Sequence, residues 1–165
     1  CENYLEGFHI AYVHDGLSSD IDNQSYKTIP LEHAVLQIAK SSNKEDSLGR
    51  TGKINNISTN DIYALYFWLF PNIMINFYKW GISVNIIEPL TKEKTRIRFI
   101  SLPIKGCKQS SGNNNSVDHI ELEDQRVVLD VQKGIKSKFY NRGRYSVKHE
   151  KGTHHFHQLI SKYIK

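Results

Sequence analysis

The sequence predicts an α+β domain: one curved antiparallel sheet with a long helix across its concave side. Three observations predict it. Four short runs rich in β-branched and aromatic residues lie between Ile62 and Leu102. Their connections are too short for parallel crossovers, so they form an antiparallel meander. Val117 to Tyr140 is one helical pattern with apolar positions at Ile120, Val127, Val128, Val131 and Ile135. A last helix, about His149 to Ile164, carries Phe156, Leu159, Ile160 and Tyr163 on one face. A chain of 165 residues is a single domain with room for a sizeable core.

Taken in order, residues 1–14 form a helix that bears His9 and His14. Asp15 to Asp22, with Gly16, Ser18 and Ser19, is a turn. Ala34 to Lys40 is a short strand. Ser41 to Asn56 is polar and reads as a mobile loop over one end of the domain. The meander comprises Ile62 to Phe70, Ile73 to Tyr78, Ile82 to Ile87 and Thr95 to Leu102, with Pro71-Asn72, Trp80-Gly81 and Pro89 to Lys94 as its turns. If Trp80-Gly81 is a two-residue loop, Asn76 pairs across from Asn85. Those amides either line a pocket or satisfy each other and water. Pro103 to Asp118 is a loop containing Cys107 and Gly112-Asn113-Asn114-Asn115. Asp118 is the expected N-cap of the long helix, with Glu121 completing a capping box. Gly143 stands at its expected C-terminal end.

Composition removes several classes. No apolar run approaches the roughly 18 residues of a membrane span. Two cysteines cannot form a disulfide framework, so a reducing cytoplasm is the expected location. The net charge is +5, and its densest run is Lys133 to Lys148. That run reads as a solvated face or a surface for an acidic partner, not a nucleic-acid site. No phosphate-binding glycine loop or serine-hydrolase elbow occurs.

Two histidines and one carboxylate stand out. His9 and His14 are five residues apart. On an undistorted helix this is about 500° of rotation, leaving the rings roughly 140° apart. A shared metal therefore needs a bulge, or a helix that ends between them. Otherwise one ring is buried and satisfied and the other meets water. Asp124 precedes Val128 by four, Val131 by seven and Ile135 by eleven, which puts it on the apolar stripe. A carboxylate there is paired, wet at the stripe edge, or bound to a metal. Glu121, Glu123, Arg126 and Asp130 can sit toward solvent. Two His and a carboxylate are the ligand set of mononuclear non-haem iron with open positions. Glu6 lies three residues before His9, within helical reach of its ring.

The stretch Asn3-Tyr4-Leu5-Glu6-Gly7-Phe8-His9, with His14 after four more residues, resembles the iron-binding signature of the Rieske non-haem iron (ring-hydroxylating) oxygenases, in the α-subunit catalytic domain. Matches continue in order: Tyr66 to Asn72, Asn76 to Gly81, Glu123-Asp124 seven residues ahead of Val131 to Gly134, and Glu150 to His157. The resemblance implies a helix-grip (START/Bet v 1-like) domain enclosing an apolar cavity. It implies Fe(II) held by His9, His14 and Asp124, and Glu6 as the carboxylate linking the iron to a neighbouring subunit's [2Fe–2S] Rieske cluster in a homotrimer. It implies a ferredoxin or a reductase drawing on NAD(P)H. The implied chemistry is O2-dependent hydroxylation, cis-dihydroxylation or demethylation of a small aromatic, quaternary ammonium or other organic substrate.

The family carries its Rieske domain before this region, with two Cys and two His on the cluster. Neither Cys1 nor Cys107 begins such a pair. Residues 1–165 are therefore expected to be a single catalytic domain, the C-terminal part of a longer chain. Asn3 and Tyr4 adjoin the ligand helix and are the substrate-contact candidates. Tyr66-Phe67-Trp68 could form a cation-binding wall, although aromatic residues in strands are more often core. His154-His155-Phe156-His157 are splayed by about 100° per residue and cannot chelate one ion together. They are expected to be structural. The rival function is a metal-free helix-grip module that binds an apolar ligand, which has no need of His9, His14 and Asp124 together.

Overall fold

Apolar residues on both faces make Ala34–Lys40 and Ile62–Leu69 the central strands of the fold. The computed structural model describes residues 1–14, 18, 20–42, 47–48, 53–54, 57–107 and 117–164, with backbone alone at 53–54, 57–59 and 117–118. Its strands are β1 (Lys27–Leu31), β2 (Ala34–Lys40), β3 (Lys53–Ile54), β4 (Ile57–Ser58), β5 (Ile62–Leu69), β6 (Ile73–Tyr78), β7 (Gly81–Thr91) and β8 (Lys94–Pro103). Six form one sheet in the order β1-β2-β5-β6-β7-β8, every neighbour antiparallel; β3 and β4 pair separately. The helices are α1 (Glu2–Leu5), α2 (Phe8–Val13), α3 (Val117–Ile135) and α4 (Lys151–Tyr163). Among the described residues no helix is long and apolar enough to cross a membrane.

The structure corrects several boundaries. The expected single helix over residues 1–14 is two helices, broken at Glu6-Gly7. Strand β1 was hidden by Pro30, which cannot donate to a ladder; an edge strand tolerates it. Pro89 lies inside β7 at a bulge, so the β7–β8 turn shrinks to Lys92-Glu93. Helix α3 ends at Ile135 rather than Tyr140, in a tightened turn with Lys136 N–H donating to Lys133 O (3.2 Å). Gly143 is therefore remote from its end, and Asp118 lies inside α3 rather than before it. Most of the expected loop over Ser41 to Asn56, and residues 108–116, lie outside the described residues.

The β6–β7 connection is Lys79-Trp80, because Gly81 already pairs with Tyr78. Gly81 has φ 155°, and a Cβ there would stand 2.4 Å from Leu102 O, so the strands close only over glycine. Asn76 consequently faces Ser83, and Asn85 faces Met74. This register is shifted by two from the expected one, which leaves both amides on the same face of the sheet.

That inner face holds two clusters. Leu5, Val35, Trp68, Met74 and Leu159 join α1, the sheet and α4. Ile21, Ala39, Ala64 and Tyr66 form the second, with Tyr4, Tyr26, Tyr63 and Tyr78 packed on it. Tyr63 reaches it through a bulge: Ala39 pairs with Ala64 and Lys40 with Ile62, so Tyr63 is the extra residue. The outer face carries Leu36, Ile38, Ile62 and Leu65 with Phe67 and Phe77. The expected burial of the α3 stripe does not occur: Val128, Val131 and Ile135 are 45–54% exposed. Helix α3 spans a cavity of about 1130 Å³ instead of packing onto the sheet.

Candidate metal centre

The five-residue spacing of the histidines is resolved by ending the helix between them. Helix α2 stops at Val13, and His14 turns away with φ −110° and ψ 77°. Its N–H still donates to Ile10 O (3.3 Å). The His9 and His14 rings come to 5.1 Å between centroids. Across from them stands Asp124 of α3. Its Oδ1 lies 3.0 Å from His14 Nε2 and 3.6 Å from His9 Nε2. The three donor atoms lie within 4.8 Å of one another, the only such group among the described residues.

Each donor is held from behind. Glu6 is extended (φ −99°, ψ 144°), not part of a shared helix face with His9 as the sequence suggested. Its carboxylate accepts from Phe8 N–H (2.7 Å) and His9 N–H (3.3 Å) at the start of α2, and from His9 Nδ1–H at 2.6 Å. His14 Nδ1–H donates to Glu123 Oε2 (2.8 Å), and His14 is only 2% exposed. Asn3 Nδ2–H donates to Asp124 Oδ1 (2.8 Å). Both Nδ1 atoms are thus engaged, leaving both Nε2 atoms aimed at one point.

The electrostatics follow from these contacts. Burial works against a charged His14, but the hydrogen bonds to Asp124 and Glu123 outweigh it and raise its pKa. Burial likewise works against the Asp124 charge, and the His14, His9 and Asn3 contacts outweigh it and lower the pKa. Metal–nitrogen and metal–oxygen bonds of about 2.0–2.2 Å put neighbouring ligands about 3 Å apart. The observed set fits such a metal, with His9 needing only a small approach.

Glu123 was expected toward solvent and is instead a support of His14, also 3.3 Å from His119 Nδ1. Glu121, likewise expected outside, lines the cavity and accepts from Asn85 Nδ2–H (3.1 Å). Their doublet with Asp124 was the available signal: α3 presents its acids on the side where it spans open space. Tyr4 and Asn3 both line the cavity. Tyr4 O–H donates to Asn76 Oδ1 at 2.6 Å. Of Tyr66-Phe67-Trp68, Tyr66 lines the cavity, Trp68 is core and Phe67 faces outward. The C-terminal histidines tie elements together. His155 Nε2–H donates to Leu31 O (2.6 Å), and His157 bonds both Glu2 and Tyr145.

Comparison with known proteins gives the family of this chain. The family described as "Ring hydroxylating alpha subunit (catalytic domain)" matches residues 1–165. The chloroplastic choline monooxygenase of Arabidopsis thaliana is 32% identical over 172 residues, covering 100% of this chain and 38% of that protein. The carnitine monooxygenase oxygenase subunit of Escherichia coli (strain K12) is 26% identical, covering 99% of this chain and 46% of that protein. A solved quaternary ammonium Rieske monooxygenase shares the fold with a TM-score of 0.72 at 22% identity, over 99% of this chain and 46% of its own. The chain thus spans less than half the length of these relatives.

Proposed function

Because this chain belongs to the family of ring-hydroxylating α-subunit catalytic domains, we propose that it is the mononuclear-iron domain of an oxygenase acting on a small quaternary ammonium compound. The observation that carries the reading is the convergence of His9 Nε2, His14 Nε2 and Asp124 Oδ1, with both Nδ1 atoms tied to carboxylates. The substrate class follows the names of the choline and carnitine monooxygenases. Iron bound by these ligands would supply the activation of dioxygen.

The chain's own residues do the rest. Glu6 and Glu123 hold the imidazoles in the tautomer that presents Nε2, and Asn3 orients Asp124. The cavity beneath α3 admits the substrate beside these ligands. In the proposed whole protein, residues 1–165 form one domain of a longer chain that also carries a [2Fe–2S] cluster. Glu6 then lies on the route from a neighbouring subunit's cluster in a homotrimer, with electrons drawn from NAD(P)H through a reductase. Its proposed location is the cytoplasm.

The test is metal analysis. Wild-type protein should hold one iron per chain, and His9→Ala should lose it with a modest effect on stability. Full iron occupancy in that variant would refute the site. Iron-free wild type that binds apolar ligands would favour the carrier reading.

A further inference from the structure

The cavity wall carries a run of electron-rich rings. Tyr4 and Tyr66 meet edge to face at 6.4 Å between centroids, Tyr66 and Tyr78 at 5.9 Å, and Tyr78 stacks on Trp80 at 5.3 Å. All four line the cavity. Gln37 adds a carbonyl: its Nε2–H donates to Tyr4 O (2.7 Å), while its buried Oε1 has no hydrogen-bond partner among the described residues. Glu121 brings the charge. It precedes Asp124 by one turn of α3, so their Cβ atoms are about 5–6 Å apart. Asn85 Nδ2 holds it against the sheet at 3.1 Å. Burial raises the Tyr78 phenol, and the Glu121 charge pushes it the same way. The lysines on the cavity wall, Lys79, Lys92 and Lys94, are exposed.

Resting on the iron-site reading, we propose that Glu121 and the faces of Tyr4, Tyr66, Tyr78 and Trp80 form a cation subsite. It selects an organic monocation and sets the carbon beside its quaternary nitrogen at the metal ligands. A quaternary ammonium group has no N–H to satisfy, so aromatic rings and one carboxylate suit it better than a hydrogen-bonding pocket. An uncharged substrate of the same shape gains none of this attraction.

The experiment compares choline with its uncharged carbon isostere, 3,3-dimethylbutan-1-ol. Binding of each is measured by calorimetry to the full-length protein, with iron and again after chelation. Glu121→Gln keeps the side-chain size and its bond from Asn85. It should weaken choline about ten-fold and the isostere less than two-fold, with iron content unchanged. Glu32→Gln, the same charge loss at an exposed site, should change neither. Equal losses for both ligands, or no loss, overturn the subsite. If Glu121→Gln does not fold, the wild type decides: isostere binding as tight as choline overturns the proposal. Wild type that binds no added iron yet prefers choline would count against the metal reading alone.

Discussion

Glu6 belongs to neither helix, and that is what lets one side chain act twice. Its extended backbone turns the carboxylate back over the start of α2, where it accepts from two otherwise unpaired N–H groups and from the His9 ring. In the full-length protein Glu6→Gln keeps the size and one of the two acceptor oxygens but loses the charge. On the proposed electron route, the variant should retain iron and cluster and lose most turnover driven by the reductase. Hydrogen peroxide, which supplies both oxygen and electrons, should restore part of the product. Turnover as fast as wild type would reduce Glu6 to a cap and a support. Asn3, read from the sequence as a substrate contact, is first a partner of Asp124. Nothing local links residues 121 positions apart.

The short helix α1 carries Asn3 and owes its position to α4. Gly152 of α4 sits so close to α1 that a Cβ would stand 2.8 Å from Leu5 O. Gly152→Ala should therefore cost about 1–3 kcal/mol, read as a lower urea midpoint at unchanged slope. Gly134→Ala is the contrast. Gly134 lies in α3 with nothing within 4 Å of a Cβ. That substitution should be neutral or stabilise by about 0.5–1 kcal/mol through helix propensity. The two glycines look alike in the sequence, and only their neighbours separate them. Helix α3 teaches the same lesson on its apolar stripe, which periodicity assigns to a core and the fold places over a cavity.

Across the whole domain, the tyrosines on the inner face make a second network, mostly half-buried on the cavity wall. Burial raises the pKa of Tyr4, Tyr26, Tyr66 and Tyr78 from the usual 10.0, with neighbouring phenols and acids adding to it. A raised pKa in the fold favours the protonated form there. This contribution is complete below about pH 10 and is lost as pH rises further. Phenolate absorbance should therefore show these four silent above pH 10 while circular dichroism stays native. They should then ionise together as the fold is lost. Gradual ionisation of all nine tyrosines in a folded protein would mean that the cluster is open to water.

The α+β class, the meander and three of its strands and the long helix could be read from the chain, as could the trio His9, His14 and Asp124 that the fold brings together. Each is written in local period or in an ordered motif, and these survive any packing. The break at Glu6, the inward turns of Glu121 and Glu123, the Asn76 register and the bulge at Tyr63 could not. Each depends on where a distant element stops, as when Gly81 closes on Leu102 O or α3 hangs over open space. Polarity marks these side chains for solvent. The fold brings a charged centre inside, and so reverses the rule for the residues that surround it.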